Sequence, residues 1–398
     1  TGGALSGQAS SGHYDAFLQK RDEFGNVLWT RQFGSGELDN AYAVSVDGFD
    51  NILVAGFTNG SLPGQVSSGG ADAFVRKYDP AGIELWTRQF GTSAADSAYD
   101  VAVDGTGNVV VVGHSWASLP GQQSSGAQDV FVRKYDPTGS ELWTRQFGSS
   151  QGDVGYGVAV NGTGDVVVVG HTGGALEGQD SKGQADAFVR KYDPLGSLLW
   201  TRQMGTVGGD GARAVDTSPQ GSILVLGTTT GAFPGSTSSG GTDVFLQELS
   251  PSGGSLWIDQ FGSDLDDRAA GLSVDAAGRV LVSGSAAGSL PDQESRGSWD
   301  AFLRTYLGGS ETWTEQFGTE GVDEGGKVEW GKDGTVHTVG YTTGVLVGTT
   351  AAGRDDAFVR VLTPPVTSDT MHPVIAGSAD RGPNAAGWYD APVTVSYT

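Results

Sequence analysis

The chain has no cysteine in 398 residues, which excludes disulfides and thiolate metal sites. A chain of this length can bury a large core and needs no such staples. Basic residues are scarce. There are 23 Lys and Arg against 46 Asp and Glu, a net charge of −23. This balance argues against nucleic acid and anionic membranes as partners, because both attract basic patches. No run approaches the ~18 apolar residues of a membrane-spanning helix, so no membrane insertion is expected. Only five histidines occur. His114 and His171 fall in different repeats, and His13, His337 and His372 show no ligand spacing, so a zinc site is not expected. There is neither a nucleophile elbow nor a Walker-type loop, and Gly-x-Gly in turns is uninformative in a chain with 66 glycines. Carboxylates of the kind that hydrolyse glycosides are everywhere, so sequence proximity singles out no pair.

What is present is a repeat. Asp72 to Gly91 reads as a β-hairpin: two runs rich in β-branched and aromatic residues flank the turn Asp79-Pro80-Ala81-Gly82. Its aspartate returns as Asp15, Asp72, Asp129, Asp186, Asp243, Asp300 and Asp356, at spacings of 57 and finally 56. Its tryptophan returns as Trp29, Trp86, Trp143, Trp200, Trp257 and Trp313. A fixed period of this length means repeated supersecondary units.

Each repeat holds four strand-like runs, A to D, as in Ala98–Asp104, Asn108–Ser115, Asp129–Asp136 and Glu141–Phe147. Four strands per repeat predict an all-β propeller of four-stranded antiparallel blades. Residue size follows the wedge of a blade. Strand A, nearest the axis, opens on Ala41, Ala98, Gly155, Ala212, Ala269 and Gly325, with Val44, Val101, Val158, Val215, Leu272 and Val328 as its core positions. Strand D, outermost, carries the tryptophans, read as core filler and not as sugar platforms. The A–B and C–D turns are short and share one end of the blade. The other end carries the D–A loops and long B–C loops, each with an apolar anchor: Leu5, Leu62, Leu119, Leu176, Phe233, Leu290 and Leu346.

The runs DAFVRKYDP, WTRQFG and VAVDGTGNVVVVGHS resemble the seven-bladed beta-propeller (SBBP) repeat of bacterial secreted and surface proteins. The resemblance covers residues 1–362 and implies an extracellular or cell-surface propeller with no catalytic residues to carry over. Residues 363–383 read as a linker, and residues 384–398 resemble the start of a bacterial Ig-like domain. The chain opens mid-pattern, so both ends are expected to be cut from a longer protein, in which this would be a monomeric domain. Seven blades are expected, with the missing D, A and B strands supplied from upstream. The alternative is six, with the Trp29 strand closing the blade of Ala357 and the Asp15 strand losing its hairpin partner.

Two residue series are candidates for function. Asp39, Asp96, Asp153, Asp210, Asp267 and Asp323 precede or open strand A at the long-loop end. With the Asp15 series they could hold calcium, which takes six to eight oxygens. Repetition in every blade favours instead a structural role, satisfying loop N–H groups. The second series follows the glycine that ends strand B: Phe57, His114, His171, Thr228, Ser285 and Tyr341. It does not repeat within a nearly invariant framework, so it could present a different side chain per blade to an asymmetric glycan or protein ligand. The expected function is a non-catalytic extracellular binding, adhesion or scaffold module. A glycan-active enzyme and a passive spacer are the alternatives.

Overall fold

The computed structural model describes residues 1–22, 25–346 and 356–364. Two units divide the chain, Thr1–Thr363 and Pro364–Thr398. The Ig-like stretch and the linker beyond residue 364 lie outside the described residues.

The first unit is all β. A two-stranded hairpin, β1 (Ala16–Arg21) and β2 (Val27–Phe33), precedes blade 1, whose strands are β3 (Asp39–Val46), β4 (Ile52–Thr58), β5 (Asp72–Tyr78) and β6 (Glu84–Phe90). The order in the sheet is the order in the chain, every pair antiparallel. Blades 2 to 5 repeat this plan over 96–147, 153–204, 210–261 and 267–317. A sixth sheet has three strands, Asp323–Trp330, Val336–Thr342 and Asp356–Leu362. Six blades therefore carry an inner strand, which is the six-bladed alternative. The seven-bladed expectation is not confirmed: it rests on strands supplied from upstream of residue 1. The strand exchange attached to the six-bladed reading is also absent: Ala16–Arg21 keeps its hairpin partner. The inner strands surround a common axis. Lys327 of blade 6 reaches Asp100 of blade 2 at 3.0 Å, a contact between blades that are not neighbours in the chain.

The wedge logic holds between neighbouring blades. One core cluster joins Leu53, Val75 and Phe90 of blade 1 to Val101, Val111 and Phe131 of blade 2. Phe90 meets Phe131 edge-on at 5.3 Å. Gly155 is small for a reason: a Cβ there would lie 2.6 Å from Val112 and 2.8 Å from Val130 of the preceding blade. Val44 departs from its series. It is 56% exposed, whereas Val101 and Val158 are buried, because the hairpin before blade 1 has no inner strands to cover it.

The tryptophans clasp one blade to the next. Trp86 and Trp143 donate their indole N–H to Pro137 O and Pro194 O, each at 3.1 Å. The same rings cover the turn glycines Gly139 and Gly196, which sit at φ +81° and +80°. The arginine two residues on finishes the clasp, as Arg88 Nε donates to Gly139 O at 2.7 Å. At the other end the loop anchors are buried as expected, Leu62, Leu119 and Leu176 among them. Each donates a hydrogen bond through its backbone N–H, as Leu62 does to Gln89 Oε1 at 2.9 Å.

Candidate functional site

The site is built by a β-bulge repeated in every inner strand. In blade 1, Ala41 pairs with Gly56 and Ala43 with Ala55, so Tyr42 is an extra residue with no opposite number. The same shift singles out Tyr99, Tyr156, Arg213 and Ala270, and in blade 6 Gly326 with Lys327. A bulge leaves its residue unpaired and re-aims the side chain. Near the long-loop end of the inner strands, it aims these six positions at the mouth of the central channel.

Three of them form an aromatic arc. The Tyr42 and Tyr99 rings stack at 5.3 Å and 30°, and Tyr99 and Tyr156 follow at 5.4 Å. The Arg213 guanidinium lies 4.2 Å from the Tyr156 ring centroid and ends the arc with a cation. Behind the arc stand residues of strand B. Phe57 is 5.7 Å from Tyr42, His114 stacks on Tyr99 at 5.5 Å and 26°, and His171 is 5.5 Å from Tyr156. Burial pushes both imidazoles down to about 4, helped by His171 beside His114 and by Arg213 beside His171, so both are neutral at physiological pH. Burial pushes the Tyr99 hydroxyl up to about 12, with Tyr42 and Tyr156 adding to it.

The other half of the mouth is polar. Arg213, Thr228, Thr242, Asp266, Arg268 and Trp299 line a cavity of about 480 Å³. Arg268 lies over Trp299 at 4.0 Å and forms an ion pair with Glu324. The Asp266 carboxylate accepts the Thr242 N–H at 2.9 Å.

The family model of SBBP, the beta-propeller repeat, matches residues 28–63 and 85–120. Two stretches of the propeller thus match this repeat. It is 28% identical over 408 residues to the regulatory protein FlaEY of Caulobacter vibrioides, a match covering 89% of this chain and 40% of that protein. It is 26% identical over 232 residues to the uncharacterized WD repeat-containing protein L264 of Acanthamoeba polyphaga mimivirus, covering 46% of this chain and 17% of the other. The chain thus spans less than half the length of these relatives. Among solved structures, a protein of unknown function from Dyadobacter fermentans is similar at 11% identity and TM-score 0.47, covering 83% of this chain and 96% of that one.

In these blades Phe57, His114 and His171 of the strand-B series stand behind the tyrosines, in a second row. His114 is only 8% exposed and Ser285 is buried, its Oγ accepting the Gly325 N–H at 3.0 Å. Tyr341 is exposed. The front row of Tyr42, Tyr99, Tyr156 and Arg213 escaped sequence reasoning. Its signal was the recurring small residue followed by a large one: Ala41-Tyr42, Ala98-Tyr99, Gly155-Tyr156, Ala212-Arg213.

The two aspartate series prove to be one motif. Asp72 of blade 1 and Asp96 of blade 2 flank Gly91, where a Cβ would lie 2.3 Å from Asp72 Oδ1 and 2.7 Å from Asp96 Oδ2. Asp72 Oδ2 accepts from Ser68 N–H and Gln89 Nε2, both at 2.8 Å. Asp96 Oδ2 accepts from Thr92 N–H at 2.6 Å. Asp15 with Asp39, Asp129 with Asp153, Asp186 with Asp210, Asp243 with Asp267 and Asp300 with Asp323 repeat the arrangement around Gly34, Gly148, Gly205, Gly262 and Gly318. Burial raises Asp39, Asp96, Asp153 and Asp210, and pushes Asp267 up to about 7. Each junction supplies two carboxylates whose Oδ2 atoms are committed to donors. Among the described residues no group of three or more His, Asp or Glu is placed to hold a metal ion.

Proposed function

We propose that this propeller is a non-catalytic extracellular binding module that engages its ligand at the long-loop mouth of the channel. The observation that carries the reading is the repeated bulge, which replaces a six-fold surface with an asymmetric one. Blades 1 to 3 supply the tyrosine arc. Blades 4 to 6 supply Arg213, Ala270 and Gly326 at the same level. A spacer has no use for such asymmetry. The imidazoles near the arc are tucked behind its rings, out of first contact with a ligand. The aspartate pairs serve the junctions between blades, holding loop N–H groups. The test is an immobilised panel of glycans and peptides probed with the full chain and with a Tyr99→Ser, Tyr156→Ser variant whose melting curve is intact. The variant is expected to lose whatever the wild type retains. Undiminished retention, or turnover of a panel compound abolished by one point substitution, would count against the reading.

A further inference from the structure

Resting on that reading, we infer that the mouth selects a glycan bearing an oxyanion, carboxylate or sulfate ester, with Arg213 as the group that takes the charge. The strand-D arginines and the other arginine of this cavity are occupied. Arg31, Arg88, Arg145 and Arg202 donate Nε to turn carbonyls of the next blade, and Arg268 is paired with Glu324. Arg213 differs. It is exposed, it rests on the Tyr156 ring, and no carboxylate lies within ion-pair distance of it among the described residues. In a chain with twice as many acidic as basic side chains, an unneutralised guanidinium beside an open cavity is a place for an external anion. Its planar fork suits a two-oxygen acceptor.

The arc beside it suits sugar rather than polypeptide. Tyr99 has Tyr42 on one side and Tyr156 on the other, so its faces are taken. What the arc offers is hydroxyl-bearing edges, which donate to and accept from sugar hydroxyls. Free aromatic surface for the apolar face of a sugar ring stands at its ends, on Tyr42 (46% exposed) and on the rim at Trp116 (48% exposed). A peptide strand would instead need an uninterrupted sheet edge. The bulge breaks the inner edge at this level in every blade, so main-chain pairing has no continuous partner.

The test compares three probes by calorimetry with the full chain: an oligogalacturonate, a sulfated galacto-oligosaccharide and the neutral galacto-oligosaccharide of equal length. At least one acidic probe is expected to bind about tenfold or more tighter than the neutral one, and the two acidic probes identify which oxyanion is preferred. Arg213→Met keeps the stem over Tyr156 and removes the charge. It is expected to abolish the preference, bringing the ratio of acidic to neutral affinity to about one. Tyr99→Ala, with melting checked, is expected to weaken all three. Equal binding of acidic and neutral probes by the wild type, an acidic preference that survives Arg213→Met, or no binding of any of the three would overturn the inference. If the neutral probe binds, Tyr99→Ala abolishes it and no acidic preference exists, the binding-module reading stands and only this inference falls.

Discussion

Blade 5 lacks a hydroxyl that its neighbours have, and restoring it should change how stability depends on pH. In register, Asp39, Asp96, Asp153 and Asp210 stand opposite Thr58, Ser115, Thr172 and Thr229, whereas Asp267 stands opposite Ala286. The facing hydroxyl opposes the upward push of burial in the first four; Asp267, without one, is pushed to about 7. A folded value above the unfolded one means that the folded state holds its proton longer. Stability from this group is complete below about 4, falls as pH rises to about 7, and stays lost above it. The ionised carboxylate then weighs against folding by roughly 4 kcal/mol. Ala286→Thr places a side chain where other blades bury Thr without exposure. Its single proton has two claimants. In blade 3 the equivalent Thr172 Oγ1 donates to Gly174 O at 2.9 Å while lowering Asp153. The expected gain is therefore ~1 kcal/mol, below the ~1.5–3 kcal/mol of a hydrogen bond wholly committed to a charge. Urea titration at pH 8 and pH 5 is the assay, with Ala286→Ser as the smaller control. The gain should appear at pH 8 and shrink at pH 5. An equal gain at both, or a loss at both, would refute the reasoning.

Three further outcomes follow from the same geometry. Gly148→Ala puts a Cβ 2.3 Å from Asp129 Oδ1 and 2.6 Å from Asp153 Oδ2; an unfolding free energy lowered by ~1–3 kcal/mol in urea titration is expected, and an unchanged midpoint would show that the carboxylate pair yields freely. Trp143→Ala removes a buried ring and its bond to Pro194 O; it should cost ~3–5 kcal/mol, read by the same titration, with weakened hydrogen-exchange protection in the turn at 193–197. Calcium addition and chelation should leave the melting temperature unchanged, because among the described residues no group of three or more acidic or imidazole side chains is placed to hold an ion. A rise with calcium would assign the ion to the junction aspartate pairs.

The blade plan was legible because each of its determinants is local and repeated. Val101 and Leu119 lie where their period placed them, buried in the same cluster. The number of blades was less legible, since it depends on how sheets far apart in the chain meet. The local hairpin pattern does keep Val27–Phe33 as the partner of Ala16–Arg21, but it does not say how many blades share the ring. The front row of the site was hidden for a different reason. An inserted residue such as Tyr42 reverses the in-out alternation of its strand, so period-two reading assigns it to the wrong face. The aspartates were seen as two series because strand C of one blade and strand A of the next meet only across a junction. Asp72 and Asp96 show their relation through the one glycine that separates them.

The claim that the mouth is the binding surface is tested most directly by hydrogen-exchange mapping of the full chain with and without a saturating oligosaccharide probe. The account predicts added protection confined to the bulged segments around Tyr42, Tyr99, Tyr156 and Arg213 and to the adjoining long loops at Trp116 and Trp299. Protection at the opposite end, in the A–B turns around Asp104 and Asn161, or spread evenly over all blades, would contradict it.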